Sequence, residues 1–172
     1  RGTARRELRR ELRHSSGMND SELKAREAIR DLVARYNLYG DRGRIEELLA
    51  LFVPDAWIEV EGRPRNEGIE GLRALFGGAI RRPKEGAATW RIAHHVSSHC
   101  IDLEGTATDD SESLRASGHS HYLVLSQHGL DHWGRYRDVY CGASGRWLFE
   151  SRRVSVDGLV PGGWADTNIQ RG

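Results

Sequence analysis

Between residues 20 and 40 the apolar side chains Ile29, Leu32, Val33, Tyr36 and Tyr39 recur every three or four positions, the period of one helix face. Asp20 or Ser21 can cap that helix and Gly40 ends it. Beyond Asp41, Ile45, Leu48, Leu49 and Phe52 repeat the pattern for about two turns, and Pro54 stops it. Ala56, Ile58 and Val60 then alternate with Trp57, Glu59 and Glu61, which predicts a strand with one wet face. A turn through Gly62 and Pro64 leads to Asn66, which can cap a third helix carrying Ile69, Leu72, Leu75 and Phe76 until Gly77 and Gly78 weaken it. The period then changes to two, predicting strands over 90–103, 114–126, 132–141 and 146–156. The turns between them are short and rich in Gly, Asp and Ser, so neighbouring strands should pair as an antiparallel meander. Helices followed by a sheet predict an α+β fold with the helices packed on one face of a curved sheet.

The 172 residues suit one domain with a real core. Lys plus Arg number 26 against 25 Asp plus Glu, so no charge excess asks for nucleic acid or an acidic membrane. Apolar runs are too short to span a bilayer, and a cytoplasmic protein is expected. Cys100 and Cys141 form neither a disulfide framework nor a CxxC zinc pair and should be buried free thiols. Residues 1–17, RGTARRELRRELRHSSG, end just before Met18, the one methionine, and read as a basic extension upstream of a domain over 18–158. Residues 159–172 form a tail that could dock loosely or act as a flap.

Candidate chemistry gathers in RIAHHVSSHCIDL, residues 91–103. Successive strand side chains point to opposite faces, so His94 and His95 cannot serve one site. In a regular strand His95 and His99 share a face but stand roughly 13 Å apart, too far for one metal ion. His119 and His121, in an HxH spacing, could begin a metal site, but no third ligand accompanies them and none is expected. Asp41, next to the end of the first helix, can partner a histidine or equally cap the second helix. Tyr36 can belong to the core and still turn its hydroxyl toward a ligand.

The ordered segments AIRDLVARYNLYGDRGRIEELLALFVPDAWIEV, GIEGLRALF, AHHVSSHCIDLEG and GRYRDVYCGASGRWLFESRRV resemble the SnoaL-like branch of the nuclear transport factor 2-like superfamily, over about residues 22 to 156. That branch includes scytalone dehydratase, bile-acid 7α-dehydratase and hexachlorocyclohexane dehydrochlorinase. The resemblance implies a cone of three helices over a curled sheet, an apolar pocket, no cofactor, and association as a dimer or trimer. It places His95 at the catalytic histidine, Asp41 at its aspartate partner, Tyr36 at a substrate-polarising tyrosine and Arg152 at a pocket arginine that would favour a departing anion. Tyr122, Val124, His132, Gly134 and Tyr136 fall at wall positions, with His121 taking the place of Tyr122 if the strand faces the other way. Trp57, Tyr122 or Tyr136 would hold an apolar ring compound. Gly40 and Val60 stand where scytalone dehydratase has two tyrosines, which argues against scytalone itself.

The expected activity is a cofactor-free lyase or dehydratase in which a histidine and aspartate dyad abstracts a proton. Three other readings compete with it: an isomerase of the ketosteroid isomerase kind, the non-catalytic small subunit of a ring-hydroxylating dioxygenase, and a ligand-binding module.

Overall fold

The computed structural model describes residues 19–79, 92–104, 114–143 and 146–168. Residues 1–17, for which a basic extension is expected, lie outside the described residues. Helix α1 (Asp20–Asp41) begins at Asn19, whose side chain accepts the Glu22 amide at 2.9 Å while Glu22 reaches back to the Asn19 amide at 3.2 Å. This reciprocal cap makes Asn19 the N-cap, in place of the expected Asp20 or Ser21. Helix α2 (Ile45–Leu49) is one turn long, because the chain enters strand β1 (Phe52–Val60) already at Phe52. Pro54 therefore lies within a strand, at an irregular stretch between Phe52 and Trp57 where the ladder does not require its missing N–H. Asn66 belongs to the two-residue strand β2 (Asn66–Glu67) and not to a helix cap; helix α3 follows as Gly68–Ala79.

Strands β3 (Ile92–Glu104), β4 (Leu114–Ser126), β5 (Gly129–Ala143) and β6 (Arg146–Leu159) form the expected antiparallel meander. The sheet order is β2-β1-β6-β5-β4-β3, with β1 parallel to β6 and every other pair antiparallel. The helices pack on one face of this curved sheet. Ile29, Leu32, Leu48, Phe52, Leu72 and Phe149 fill the interface, each at most 4% exposed. Tyr36 stands edge-on to Phe52, Phe76 and Phe149 at 5.4 to 6.2 Å, the arrangement aromatic quadrupoles favour.

Strand β3 is an edge of the sheet, and α1 covers it: Arg26 donates to the Ile101 carbonyl, and Asp41 accepts the His94 amide. Two edge groups that could template pairing with another chain are thereby used. A short helix α4 (Trp164–Asn168) closes the described chain and packs against β5. Cys100 and Cys141 are free thiols, but neither is fully buried: Cys141 is half-buried, and Cys100 is exposed because it lies on the outward phase of β3.

Candidate functional site

Phase along β3 decides which histidine faces the helices. Ile92, His94 and Val96 are partly buried while Ala93, His95 and Ser97 are exposed. His94 pairs with Val124, which is fully buried, and His95 pairs with Leu123 on the outer face. Asp41 meets His94: its Oδ1 lies 2.5 Å from the imidazole Nδ1, and its Oδ2 accepts the backbone amide at 3.0 Å. The expected pair of Asp41 with His95 is thus replaced by Asp41 with His94. The signal was present, since Ile92 and Val96 are the apolar positions of the segment and His94 shares their phase. Helix α2 takes Arg44 as its N-cap residue, without a side-chain cap, so Asp41 is free for the imidazole.

A β-bulge then reverses the phase. Ser98 and His99 together oppose one residue, Ser120, between the pairs Ser97 with His121 and Cys100 with His119, and Ser98 adopts φ 51°. The extra residue brings His99 inward with Ile101 and Leu103. His99 shares a face with His94, and the 13 Å expectation for His95 and His99 does not apply. His99 Nε2 lies 3.2 Å from the Tyr140 hydroxyl, which donates to Asp138 at 2.8 Å. Burial holds the His99 imidazole below its ordinary pKa.

A second bulge, at Glu150 on β6, turns Arg152 inward beside Asp138. Arg152 is fully buried and donates through Nε and Nη2 to the two Asp138 oxygens, at 2.8 and 2.7 Å. Burial opposes its charge, but the carboxylate outweighs burial and the guanidinium stays protonated. Its Nη1 is buried without a hydrogen-bond partner. The guanidinium lies over the rings of Tyr136 at 4.0 Å and Tyr36 at 4.1 Å. Burial raises the Tyr36 pKa, with Arg152 opposing, so that hydroxyl keeps its proton at neutral pH.

Tyr122 and Tyr136 stack with centroids 4.4 Å apart, beside Val124, on the inner face. Gly134 makes room for this: a Cβ there would lie 1.9 Å from the Ser155 carbonyl, to which the Tyr122 hydroxyl donates at 3.2 Å. Tyr122, not His121, is the inward residue, and His121 is exposed along with His119. Among the described residues no cluster of three His, Cys, Asp or Glu could hold a metal ion. Trp57 leaves the candidate wall as well. It points away from Ala56 and Ile58, with the guanidinium groups of Arg65 and Arg153 on its ring at 4.0 and 4.9 Å.

His132, at the inward phase of β5, is 4% exposed and closes a row with Val124 and His94 across three strands. Its ring stands perpendicular to that of His94, 6.4 Å away. Its Nδ1 lies 2.7 Å from Asp131 Oδ1. No sequence pattern singled out Asp131, which precedes a predicted strand and reads as turn chemistry.

The sequence over residues 21–153 matches the family model of the SnoaL-like domain. The chain belongs to the SnoaL-like domain family. No curated protein matches it. A solved scytalone dehydratase candidate from Novosphingobium aromaticivorans DSM 12444 superimposes on this SnoaL-like domain with a TM-score of 0.65 and 23% identity, over 82% of this chain and 89% of that one. A variant of Rv3472, a Mycobacterium tuberculosis protein of unknown function, gives a TM-score of 0.68 and 20% identity, over 90% and 91%. The β subunit of a candidate aromatic-ring-hydroxylating dioxygenase, also from N. aromaticivorans, gives 0.59 and 22%, over 79% and 91%. At these identities the likenesses establish the cone-shaped fold alone. Among the described residues no helix of the SnoaL-like domain is long and apolar enough to cross a membrane.

Proposed function

We propose that this SnoaL-like domain is a cofactor-free lyase that eliminates water, or another leaving group, from an apolar cyclic or aromatic compound, with His94 as base and Asp41 as the group that holds it. The observation that carries this reading is the double engagement of Asp41. An ionised carboxylate only accepts, so the Nδ1 that it binds carries the proton and Nε2 keeps its lone pair for a ligand. Side-chain exposures of 22% for His94 and 18% for Asp41 leave the pair accessible.

In the proposed step, His94 Nε2 takes a proton from a ring carbon next to a carbonyl. The C–H electron pair forms the new double bond, and the C–O bond to the hydroxyl breaks. Asp41 stabilises the imidazolium, which returns its proton to the departing hydroxide as water. Arg152 Nη1, a buried donor without a partner, and the protonated Tyr36 hydroxyl beside it are candidates to receive negative charge on a ligand oxygen. The stacked Tyr122 and Tyr136 supply an apolar surface for a ring.

A second reading, assembly with other chains, draws on the outer sheet face, where Leu123, Leu125 and Trp133 are each 38% exposed. Self-association as a dimer or trimer would use it, and so would a dioxygenase-like subunit role without chemistry at His94.

The decisive experiment follows turnover of 3-hydroxy-1-tetralone, a cyclic β-hydroxy ketone whose dehydration gives fluorescent 1-naphthol. His94→Ala and Asp41→Asn should each lower the rate by about 10²- to 10⁴-fold with the fold retained by circular dichroism. His95→Ala should leave it unchanged. Equal rates in wild type and His94→Ala would overturn the lyase reading.

A further inference from the structure

The Asp131 and His132 pair repeats, on β5, the arrangement of Asp41 and His94 on α1 and β3, and the proposed elimination does not use it. Asp131 is 1% exposed, and both of its oxygens are engaged. Its Oδ1 receives His132 Nδ1 at 2.7 Å and the Ala165 amide at 3.0 Å, and its Oδ2 receives the Trp164 amide at 2.6 Å. The tail thus docks on the carboxylate that orients His132, and Trp164 stacks on the imidazole at 5.9 Å. A Cβ on Gly163 would stand 2.7 Å from Asp131 Oδ2, so the approach of the tail depends on that glycine.

Nδ1 of His132 is the protonated nitrogen, by the same argument as for His94, and Nε2 is left as an acceptor. Adjacent strands stand about 4.8 Å apart, so two strands of separation would place unbent rings nearly 10 Å apart. The observed 6.4 Å means that the two imidazoles lean together over Val124, with Tyr122 edge-on to His132 at 5.8 Å. The two imidazoles thus lie side by side on the inner face, next to the stacked Tyr122 and Tyr136. The charged and titratable neighbours of His132 are Asp131, His94 and Tyr122; burial and His94 disfavour its protonation while Asp131 favours it, with burial prevailing.

We infer that His132 is a specificity-determining residue that accepts a hydrogen bond from a hydroxyl group of the ring compound, its orientation fixed through Asp131 by the C-terminal segment. The ligand class is thereby narrowed to hydroxylated rings. The inference rests on the proposed function for the location of the ligand, and not on its chemistry.

Binding of 1-naphthol and of naphthalene, measured by fluorescence titration, tests it without turnover. Wild type should prefer 1-naphthol, and His132→Leu should lose about tenfold of that preference, since it removes the acceptor. His132→Gln, which restores a carbonyl acceptor, should recover part of it. His95→Ala, on the outer face, should keep it. A preference unchanged in His132→Leu, or lost only in His94→Ala, would overturn the inference while leaving the lyase reading intact. Inactive wild type with a His132-dependent preference would do the reverse. Imidazole ¹⁵N spectra of the wild type give a check that does not depend on a variant folding. 1-Naphthol should shift the His132 Nε2 resonance toward that of a hydrogen-bonded acceptor and naphthalene should not; an unmoved resonance at saturation would refute the assignment.

Discussion

At Asp138 one carboxylate holds a fully buried Arg152 through two bonds and accepts the Tyr140 hydroxyl as a third. Neither charge reaches water, so removing one partner strands the other. Arg152→Met or Asp138→Leu alone should lower unfolding free energy by about 3–5 kcal/mol, whereas the double variant should cost much less. Urea denaturation of the three proteins checks this, and an additive double variant would contradict it. Single residues were the least legible scale. Tyr36, Asp41, Tyr122, Val124, His132, Tyr136 and Arg152 were singled out from sequence and lie on or beside the inner face, but His95, His121 and Trp57 do not. Family position points to His95, against the apolar phase of Ile92 and Val96 around its neighbour. His121 and Trp57 belong to strands whose inward phase runs through Tyr122 and Ile58.

The elements carry most of the information that sequence periodicity can hold. The two long helices, the four long strands and their antiparallel order followed from apolar spacing and turn residues, with ends displaced by a few positions. Bulges are a different matter, because one added residue leaves composition untouched and inverts every side chain beyond it. The Ser98 bulge places His94 and His99 on one face, and the Glu150 bulge turns Arg152 inward. Ser98 adopts a left-handed conformation that costs roughly 1 kcal/mol relative to glycine. Ser98→Gly should therefore raise stability by up to about 1 kcal/mol with turnover preserved. Deleting Ser98 should abolish either the Asp41 contact, and with it turnover, or the inward position of His99, and with it the Tyr140 contact. Thermal melts and the tetralone assay read both outcomes, and full activity together with wild-type stability in the deletion variant would show that the phase does not matter.

Across the whole molecule, two inward histidines tie stability to pH. Burial holds both His99 and His132 below their ordinary value of 6.5, so the unfolded chain binds protons that the folded chain refuses. Their contribution is complete above about pH 6.5 and is lost as pH falls from there through the folded values. The urea midpoint should drop between pH 7.5 and pH 5.5, and it should drop less in His99→Gln/His132→Gln; equal drops would refute the linkage. The docking of the tail on Asp131 could not be read from its sequence, since GLVPGGWADTN shows no period and its partners are backbone amides.

The parallel pair of β1 and β6 has a consequence for how the protein is made. Phe52 pairs with Phe149 and Val60 with Val154, so β1 waits for β6, the last of the described strands, before this ladder can close. At roughly 5–20 residues per second, a nascent chain would carry Phe52, Ala56 and Ile58 without that partner for several seconds. Contacts this distant in sequence also favour slow folding after release. The ribosome-bound chain would thus depend on α1 to α3, or on a chaperone, to shield the strand until β6 has emerged.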